Sequence, residues 1–260
     1  MIYHPLASFI IEIIEQKSIR YLKDMNELVH IQSSVGTAER FAGVSVSTFA
    51  KTVKQSLATH FRGTIFTSTI LNKIEEEKCG TATGKLLFNP IDSYINLSRS
   101  FPEFGCSFLF QEMGKNGMEN IFSLIYLFQT QEIIYSTPTA SYIKGRIIKP
   151  VFRKNPKMCI ASFNTNFLKK SNDFASKFMQ IRVSNSIIAD IHAITKGKID
   201  AIYFENTPIS QILPLEILAK NLRIIEDTNF TEISQKIEEN FVNIAYTNKQ
   251  IQEEFEKSPI

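Results

Sequence analysis

The segment from Asn89 to Pro102 carries the polar side chains whose types and spacing come closest to those of a chemical site. It begins N-P-I-D-S-Y-I-N and ends in Phe101-Pro102, and Asp92 is its one carboxylate. Two roles are open to a loop aspartate, because its oxygens can cap a neighbouring helix or turn, or can bind a hard cation such as Mg²⁺. The residue type alone does not decide between them.

Outside this segment, the groups that commonly carry chemistry form no motif. Glu75-Glu76-Glu77 is an acidic run, which is typical of a solvated face. The four histidines are far apart and show no H-E-x-x-H pattern, and the three cysteines show no C-x-x-C spacing, which argues against a zinc site and a disulfide framework. No G-x-S-x-G, P-loop or G-x-G-x-x-G motif is present.

The composition is that of an ordinary globular protein. The 260 residues are 43% hydrophobic and 21% charged, and the formal net charge of +3 gives no direct nucleic-acid signal. The first 14 residues lack a basic region followed by a cleavage site, and no stretch of about 18 apolar residues occurs, so we expect neither a signal peptide nor a membrane span. With widely spaced cysteines interpreted as reduced thiols, this predicts a cytoplasmic protein.

The elements that must position the polar groups follow from the hydrophobic periodicity. Apolar residues at helical spacing predict an amphipathic helix over 6–14 and a second over 45–60, with Ser45 as its cap. Runs of β-branched and aromatic residues predict strands over 63–69, 86–88, 105–110, 121–128 and 133–136, and a turn at Gly145.

Past residue 150, strand and helix patterns alternate. Strands are predicted over 158–163, 179–183, 200–204, 222–226 and 241–246, and helices over 167–178, 187–196, 215–220 and 249–257. A meander followed by alternation predicts an α+β half over 1–150 and an α/β half over 151–260, packed as one body.

Several segments together resemble the inositol monophosphatase family. N-P-I-D-S-Y-I-N is similar to the family's metal-binding loop D-P-[IL]-D-G-T-x-N, which is also followed by F-P. Residues 74–77 are similar to its I-G-E-E, residues 182–190 to R-x-x-G-S-x-A, residues 196–201 to A-G-x-[LA]-D-[GA], and residues 208–214 lie in the register of P-W-D-x-A-A-G. The short matches fall in order over most of the chain, and they resemble the bacterial extragenic-suppressor (SuhB) branch.

The resemblance implies a fold, an activity and partners. It implies the family's layered α/β/α/β/α sandwich, usually built as a homodimer, with a site between the two halves. Family members hydrolyse phosphomonoesters with Mg²⁺. The SuhB branch is associated with RNA polymerase and the antitermination machinery, which makes transcription proteins candidate partners of this chain.

Carried over residue by residue, the resemblance also implies a ligand set. The metal ligands correspond to Glu76, Asn89, the carbonyl of Ile91, Asp92 and Ser210, and Glu75 or Glu77 replaces Glu76 if the register slips. Glu76 and Tyr94 occupy family catalytic positions, with Tyr94 in place of the threonine that orients the attacking water. The substrate-binding positions correspond to Ser93, Tyr94, Asn185 and Glu205.

Asn89 and Ser210 replace two of the four carboxylates in this set. At an effective dielectric near 20, each lost charge contact at ~4 Å removes on the order of 4 kcal/mol of gross attraction for a cation. Either no metal binds, or one Mg²⁺ is held by the remaining oxygens.

Two functions therefore stay open. One is a catalytically inactive or very weak phosphatase that acts through binding. The other is an active Mg²⁺-dependent phosphomonoesterase on inositol monophosphate or a related sugar or nucleotide phosphate. In a third interpretation, the alignment with the family motifs is displaced and other carboxylates complete the site. A structure that shows three or more carboxylates around Asp92 would establish it.

Overall fold

The fold was analysed in a computed structural model. The structure describes residues 2–70, 73–81, 84–115, 117–149, 151, 153, 155–170, 172–223, 241–247 and 251. None of their helices is both long and apolar enough to cross a membrane.

Two long helices form the first layer. Helix α1 spans Pro5–His30, and its proline lies in the first turn, where the missing N–H costs nothing. Helix α2 spans Val35–His60 and begins ten residues before the predicted start. The prediction of Ser45 as a cap was wrong, since Ser45 is buried inside α2 and donates a 2.7 Å hydrogen bond to Asp24 Oδ2 of α1.

A large mixed sheet follows the helices. Its strand order is β2-β1-β3-β4-β5-β6-β7-β8, with only β1 and β3 parallel. The strands are β1 Gly63–Ser68, β2 Ile74–Cys79, β3 Lys85–Asn89, β4 Gly105–Gly114, β5 Gly117–Leu127, β6 Glu132–Thr137, β7 Ala140–Ile143 and β8 Arg146–Ile147, and the short helix α3 Tyr94–Ser98 follows β3. The five predicted strands and the turn at Gly145 are confirmed, whereas the acidic run at 75–77 lies in an edge strand, β2, that the periodicity did not indicate.

A smaller sheet with order β10-β9-β11-β12 forms the second half. Its strands are β9 Ile160–Phe163, β10 Gln180–Arg182, β11 Ala201–Pro208 and β12 Phe241–Tyr246; the helices are α4 Thr165–Lys170, α5 Asn172–Ala175, α6 Ile187–Thr195, α7 Ile209–Ile212 and α8 Glu216–Leu222.

The predictions for this half fare unevenly. The helix predicted over 167–178 is two short helices, α4 and α5. The strand predicted over 222–226 is wrong at its start, because Leu222 ends α8 and Arg223 is its left-handed cap. The rest of that strand lies outside the described residues, as does the helix predicted over 249–257 apart from Ile251.

Three apolar clusters place these elements in five layers. One face of the large sheet packs against α1 and α2. The other face, with side chains such as Leu87 and Ile125, packs against α6–α8, which also cover Ile202 and Phe204 of β11. The far face of the small sheet packs against α4 and α5. This order is the α/β/α/β/α sandwich that the resemblance implies, while the division into halves at residue 150 stays a prediction.

Candidate functional site

The loop between β3 and α3 begins inside the protein. Asn89, the last residue of β3, is 1% exposed, and its Oδ1 accepts a 2.6 Å hydrogen bond from Ser68 Oγ of β1. Its Nδ2 has no hydrogen-bond partner among the described residues. Asn89 therefore presents an amide that is held by a neighbouring strand, where the family loop has a carboxylate.

Asp92 is buried and has both carboxylate oxygens engaged by protein donors. Oδ1 accepts from Gly105 N at 2.8 Å, and Oδ2 accepts from Ser186 Oγ at 2.6 Å and from Ile188 N at 2.9 Å. Burial raises the pKa of Asp92 to about 6, and these three hydrogen bonds counteract that rise. The carboxylate thus binds the N-terminus of α6, where free N–H groups and the helix dipole favour an anion.

A second residue of the loop makes a similar link between the halves. Asn96 Nδ2 donates to Ser184 O at 2.8 Å and to Glu103 O at 2.5 Å. Ser184 Oγ in turn donates to Asp190 Oδ2 at 2.7 Å, on the first turn of α6. Asp92 and Asn96, which match the family motif, therefore join the loop to the segment that starts α6.

Of the other predicted metal ligands, Ile91 lines the same pocket as Asp92, whereas Glu76, Asn89 and Ser210 do not. Glu76 lies on the edge strand β2, where its side chain is 50% exposed and 4.0 Å from Lys78 Nζ. Ser210 is buried in α7. Within the described residues, no group of three or more histidine, cysteine, aspartate or glutamate side chains is arranged to hold a metal ion.

The tyrosine at a family catalytic position, Tyr94, contacts helix α2. Tyr94 Oη donates a hydrogen bond to the carbonyl of Glu39 in α2. Burial, followed by the charge of Glu39, raises the pKa of Tyr94. Its neighbour Ser93 is buried, and the Ser93 hydroxyl has no partner among the described residues.

Of the predicted substrate-binding residues, two share a pocket and two do not line it. Tyr94 and Asn185 line a pocket of about 280 Å³ beside Asp92, and Asn185 takes a left-handed backbone conformation there, with a φ of 55°. Ser93 and Glu205 are not among its lining residues, and Glu205 instead forms a 2.6 Å ion pair with Lys170.

We call this cavity the Asp92 pocket. It lies where β1, the 90–94 loop and β11 meet, between the two sheets. Its lining is mostly amide, hydroxyl and apolar, with Asp92 as the one carboxylate among the described residues: Thr69, Ile70, Ile91, Asp92, Tyr94, Asn164, Asn185, Phe204, Asn206, Thr207, Pro208 and Gln211. Such a pocket can hydrogen-bond a neutral, hydroxyl-rich group, since amides and hydroxyls both donate and accept.

Apart from Asn185, sequence reasoning missed the amides of this pocket. Asn164 directly follows β9, and its side chain bonds the backbone of Glu205 in both directions, at 2.6 and 3.1 Å. Asn206 has a φ of 55° at a register shift of β11. Asparagines at strand ends and bulges were the available signal, because such residues favour turns and left-handed conformations.

Mg²⁺, which the resemblance implies, does not fit these residues. Mg²⁺ requires near-octahedral oxygen ligands, usually including carboxylates. Asp92 is the one carboxylate of the pocket, and its oxygens already accept three hydrogen bonds. No other carboxylate of the described residues lines the pocket, so its lining gives no support to the interpretation in which other carboxylates complete the site.

Comparison with solved structures assigns the fold. No protein-family model and no curated protein sequence matches the chain. An inositol monophosphatase II from Staphylococcus aureus superposes with a TM-score of 0.73 at 13% identity, covering 96% of this chain and 94% of that one. The extragenic suppressor protein SuhB from Bartonella henselae gives 0.69 at 14% identity over 95% and 96%.

A third structure extends the comparison. An IMPase from Thermotoga maritima gives a TM-score of 0.62 at 18% identity over 80% of this chain and 78% of that one. Staphylococcal IMPase-II has also been solved with inositol monophosphate and with 2'-AMP bound. At these identities the likeness establishes that the chain has the inositol monophosphatase fold.

Proposed function

We propose that this protein is an inositol-monophosphatase-fold protein that acts by binding and is catalytically inactive or very weak as a phosphatase. The observation that carries the proposal is that both carboxylate oxygens of Asp92 are engaged by donors from Gly105, Ser186 and Ile188. A carboxylate that anchors a helix N-terminus has few lone pairs left for a cation, so its role here is architectural.

Charge supports the same conclusion. Asn89 and Ser210 are neutral, and the half-exposed Glu76 does not line the Asp92 pocket. A two-metal phosphatase relies on cations to offset the charge of the transferring phosphoryl group. A pocket with one engaged carboxylate lacks the negative charge needed to concentrate those cations.

The ligand class follows from the lining. Asn185 and Gln211 supply amides, and Tyr94 and Phe204 supply aromatic faces. We propose that the pocket binds a polyol or the sugar of a nucleotide. The staphylococcal structures with inositol monophosphate and 2'-AMP show that the same fold receives such molecules elsewhere.

A homodimer, a cytoplasmic location and a partner in the transcription machinery stay proposals that rest on the resemblance alone. A pull-down with RNA polymerase and antitermination factors tests the last of these. Failure to bind any of them would remove that version of a binding function without affecting the others.

Phosphate release from inositol monophosphate tests the catalytic half of the proposal. We expect the same rate with excess Mg²⁺ as after chelation of divalent metal. Metal-dependent release that Asp92→Asn abolishes would overturn the proposal in favour of an active Mg²⁺-dependent phosphomonoesterase. If Asn89→Asp/Ser210→Asp releases phosphate and the natural protein does not, the asparagine and serine at these two positions are the cause of the inactivity.

Titration calorimetry with inositol, in the absence of metal, tests the binding half. We expect binding that weakens at least tenfold in Gln211→Ala, while Gln55→Ala, which lies outside the Asp92 pocket, leaves it unchanged. If the protein neither turns over nor binds inositol, inositol monophosphate or 2'-AMP, that result contradicts the assignment of this pocket as a ligand site.

A further inference from the structure

A second cavity, of about 430 Å³, lies between α2 and two strands of the large sheet, β1 and the edge strand β2. We call it the α2–β2 cavity. It adjoins the Asp92 pocket through Thr69 and Ile70, but Asp92, Asn185 and Gln211 do not line it. Its volume lies within the ~300–1,000 Å³ range of small-molecule sites.

The α2–β2 cavity has one cationic wall and one acidic wall. Lys51 and Lys54 come from α2, and Glu75 and Glu77 come from β2. Lys54 Nζ is 2.9 Å from Glu75 Oε2, so these two groups neutralise each other. The side chains of Lys51 and Glu77 are exposed and form no ion pair or hydrogen bond with other described residues, so both charges are available to a ligand.

The remaining wall is apolar. Val46 and Ala50 from α2, together with Ile70 and Pro90, provide a surface against which an aliphatic group can pack. The four charged side chains of the walls sum to zero. A phosphate or nucleotide would therefore bring two negative charges without a net positive counterpart, and a simple cation would leave the lysines uncompensated.

We propose that the α2–β2 cavity binds a zwitterionic small molecule of the free amino acid class. Its carboxylate pairs with Lys51, its ammonium pairs with Glu77, and its aliphatic side chain packs on Val46, Ala50 and Pro90. This site does not depend on the function proposed for the Asp92 pocket.

Titration calorimetry with the purified full chain tests the ligand class. The probes are alanine, valine, leucine, methionine and phenylalanine, and two leucine analogues that each lack one charge, 4-methylpentanoate and 3-methylbutylamine. We expect at least one amino acid to bind and both analogues of leucine to bind at least tenfold more weakly than leucine. Binding by none of the amino acids, or equal binding of a singly charged analogue, would overturn the proposal.

Charge-removing variants locate the site. Lys51→Gln and Glu77→Gln are each expected to weaken amino acid binding at least tenfold. Lys78→Gln is the matched control, because Lys78 lies on the same strand as Glu77, is exposed and does not line the cavity. Unchanged binding in both Lys51→Gln and Glu77→Gln would place any binding elsewhere and contradict the proposal.

Discussion

Ser186 Oγ donates a 2.6 Å hydrogen bond to Asp92 Oδ2, although the two residues are 94 positions apart. Ser186 is also the N-cap of α6, and its hydroxyl accepts from Ala189 N at 3.0 Å. One hydroxyl therefore links the loop after β3 to the helix that lies between the two sheets. The acidic residue that resembles a metal ligand is part of the cap of that helix.

Ser186→Ala should destabilise the protein by ~2 kcal/mol, because it removes a cap and a donor to a buried carboxylate. In an Asp92→Asn background, the cost should fall to ~1 kcal/mol, which is the contribution of the cap alone. Urea unfolding of the four proteins of this cycle measures the coupling.

Ser34→Ala is the matched control for this cycle. Ser34 is the N-cap of α2, but its side chain makes no capping hydrogen bond. We expect a loss of only a few tenths of a kcal/mol, roughly the effect of an uncapped surface serine. Equal costs for Ser186→Ala in both backgrounds would show that Asp92 and Ser186 are not coupled.

Glu132→Gln should reveal the pH dependence of a buried charge cluster. Burial raises the pKa of Glu132, but hydrogen bonds from Lys144, Lys196 and His192 outweigh it and lower that pKa from 4.5 to about 2. A depressed carboxyl pKa adds stability above the unfolded value, and that stability is lost as the pH falls from 4.5 through 2.

At neutral pH the natural protein should exceed Glu132→Gln in unfolding free energy by roughly 2 kcal/mol, a figure reduced for the solvent around the exposed Lys144. Urea unfolding at a series of pH values measures this difference, which should shrink toward pH 2. A difference that stays constant across the series would contradict the role of the Glu132 charge.

Gly105→Ala should be strongly destabilising. A Cβ atom at Gly105 would lie 2.5 Å from Ile188 Cγ2 and 2.5 Å from Tyr126 O, and backbone cannot yield as a flexible side chain can. We expect a loss of ~2–4 kcal/mol from overpacking, together with disturbance of the Gly105 N–H that binds Asp92. Thermal unfolding followed by circular dichroism measures it.

Gly36→Ala provides the comparison, since no atom lies within 4 Å of a Cβ built there and Gly36 lies in α2. It should be neutral or stabilising by up to ~1 kcal/mol through helix propensity. Similar losses for the two alanines would show that the contact of Gly105 with α6 is not tight.

Millimolar Mg²⁺ should leave the melting temperature of the natural protein unchanged. Asn89→Asp/Ser210→Asp places two buried carboxylates in the site, so it should melt at a lower temperature without metal and regain stability with Mg²⁺. A ligand at about 100 times its Kd adds ~2.7 kcal/mol to the folded state, which differential scanning fluorimetry detects. Stabilisation of the natural protein by Mg²⁺ would contradict the conclusion that Mg²⁺ does not fit the residues of the Asp92 pocket.

The local sequence determined the regular elements with a clear pattern. The β-branched and aromatic runs such as 105–110 and 121–128 are strands in the structure, and Gly145 is in a turn with a φ of 76°. The short motif matches, taken in order, predicted the five-layer sandwich correctly. The strands and the turn depend on residues that are neighbours in the chain, and the layered fold was inferred from the order of the motifs. Both kinds of information can be read from a single sequence.

The tertiary structure alone decided the roles of the polar residues. Glu75, Glu76 and Glu77 show no alternation of apolar and polar residues that would assign a strand face. The pairing of β2 with β1 places Glu75 and Glu77 in the lining of the cavity beside α2, and Glu76 outside it. Asp92 had two open roles, and its partners Ser186 and Ile188 lie more than ninety residues away. A carboxylate's function depends on which donors and charges surround it in space, and that set is assembled only when distant segments pack together.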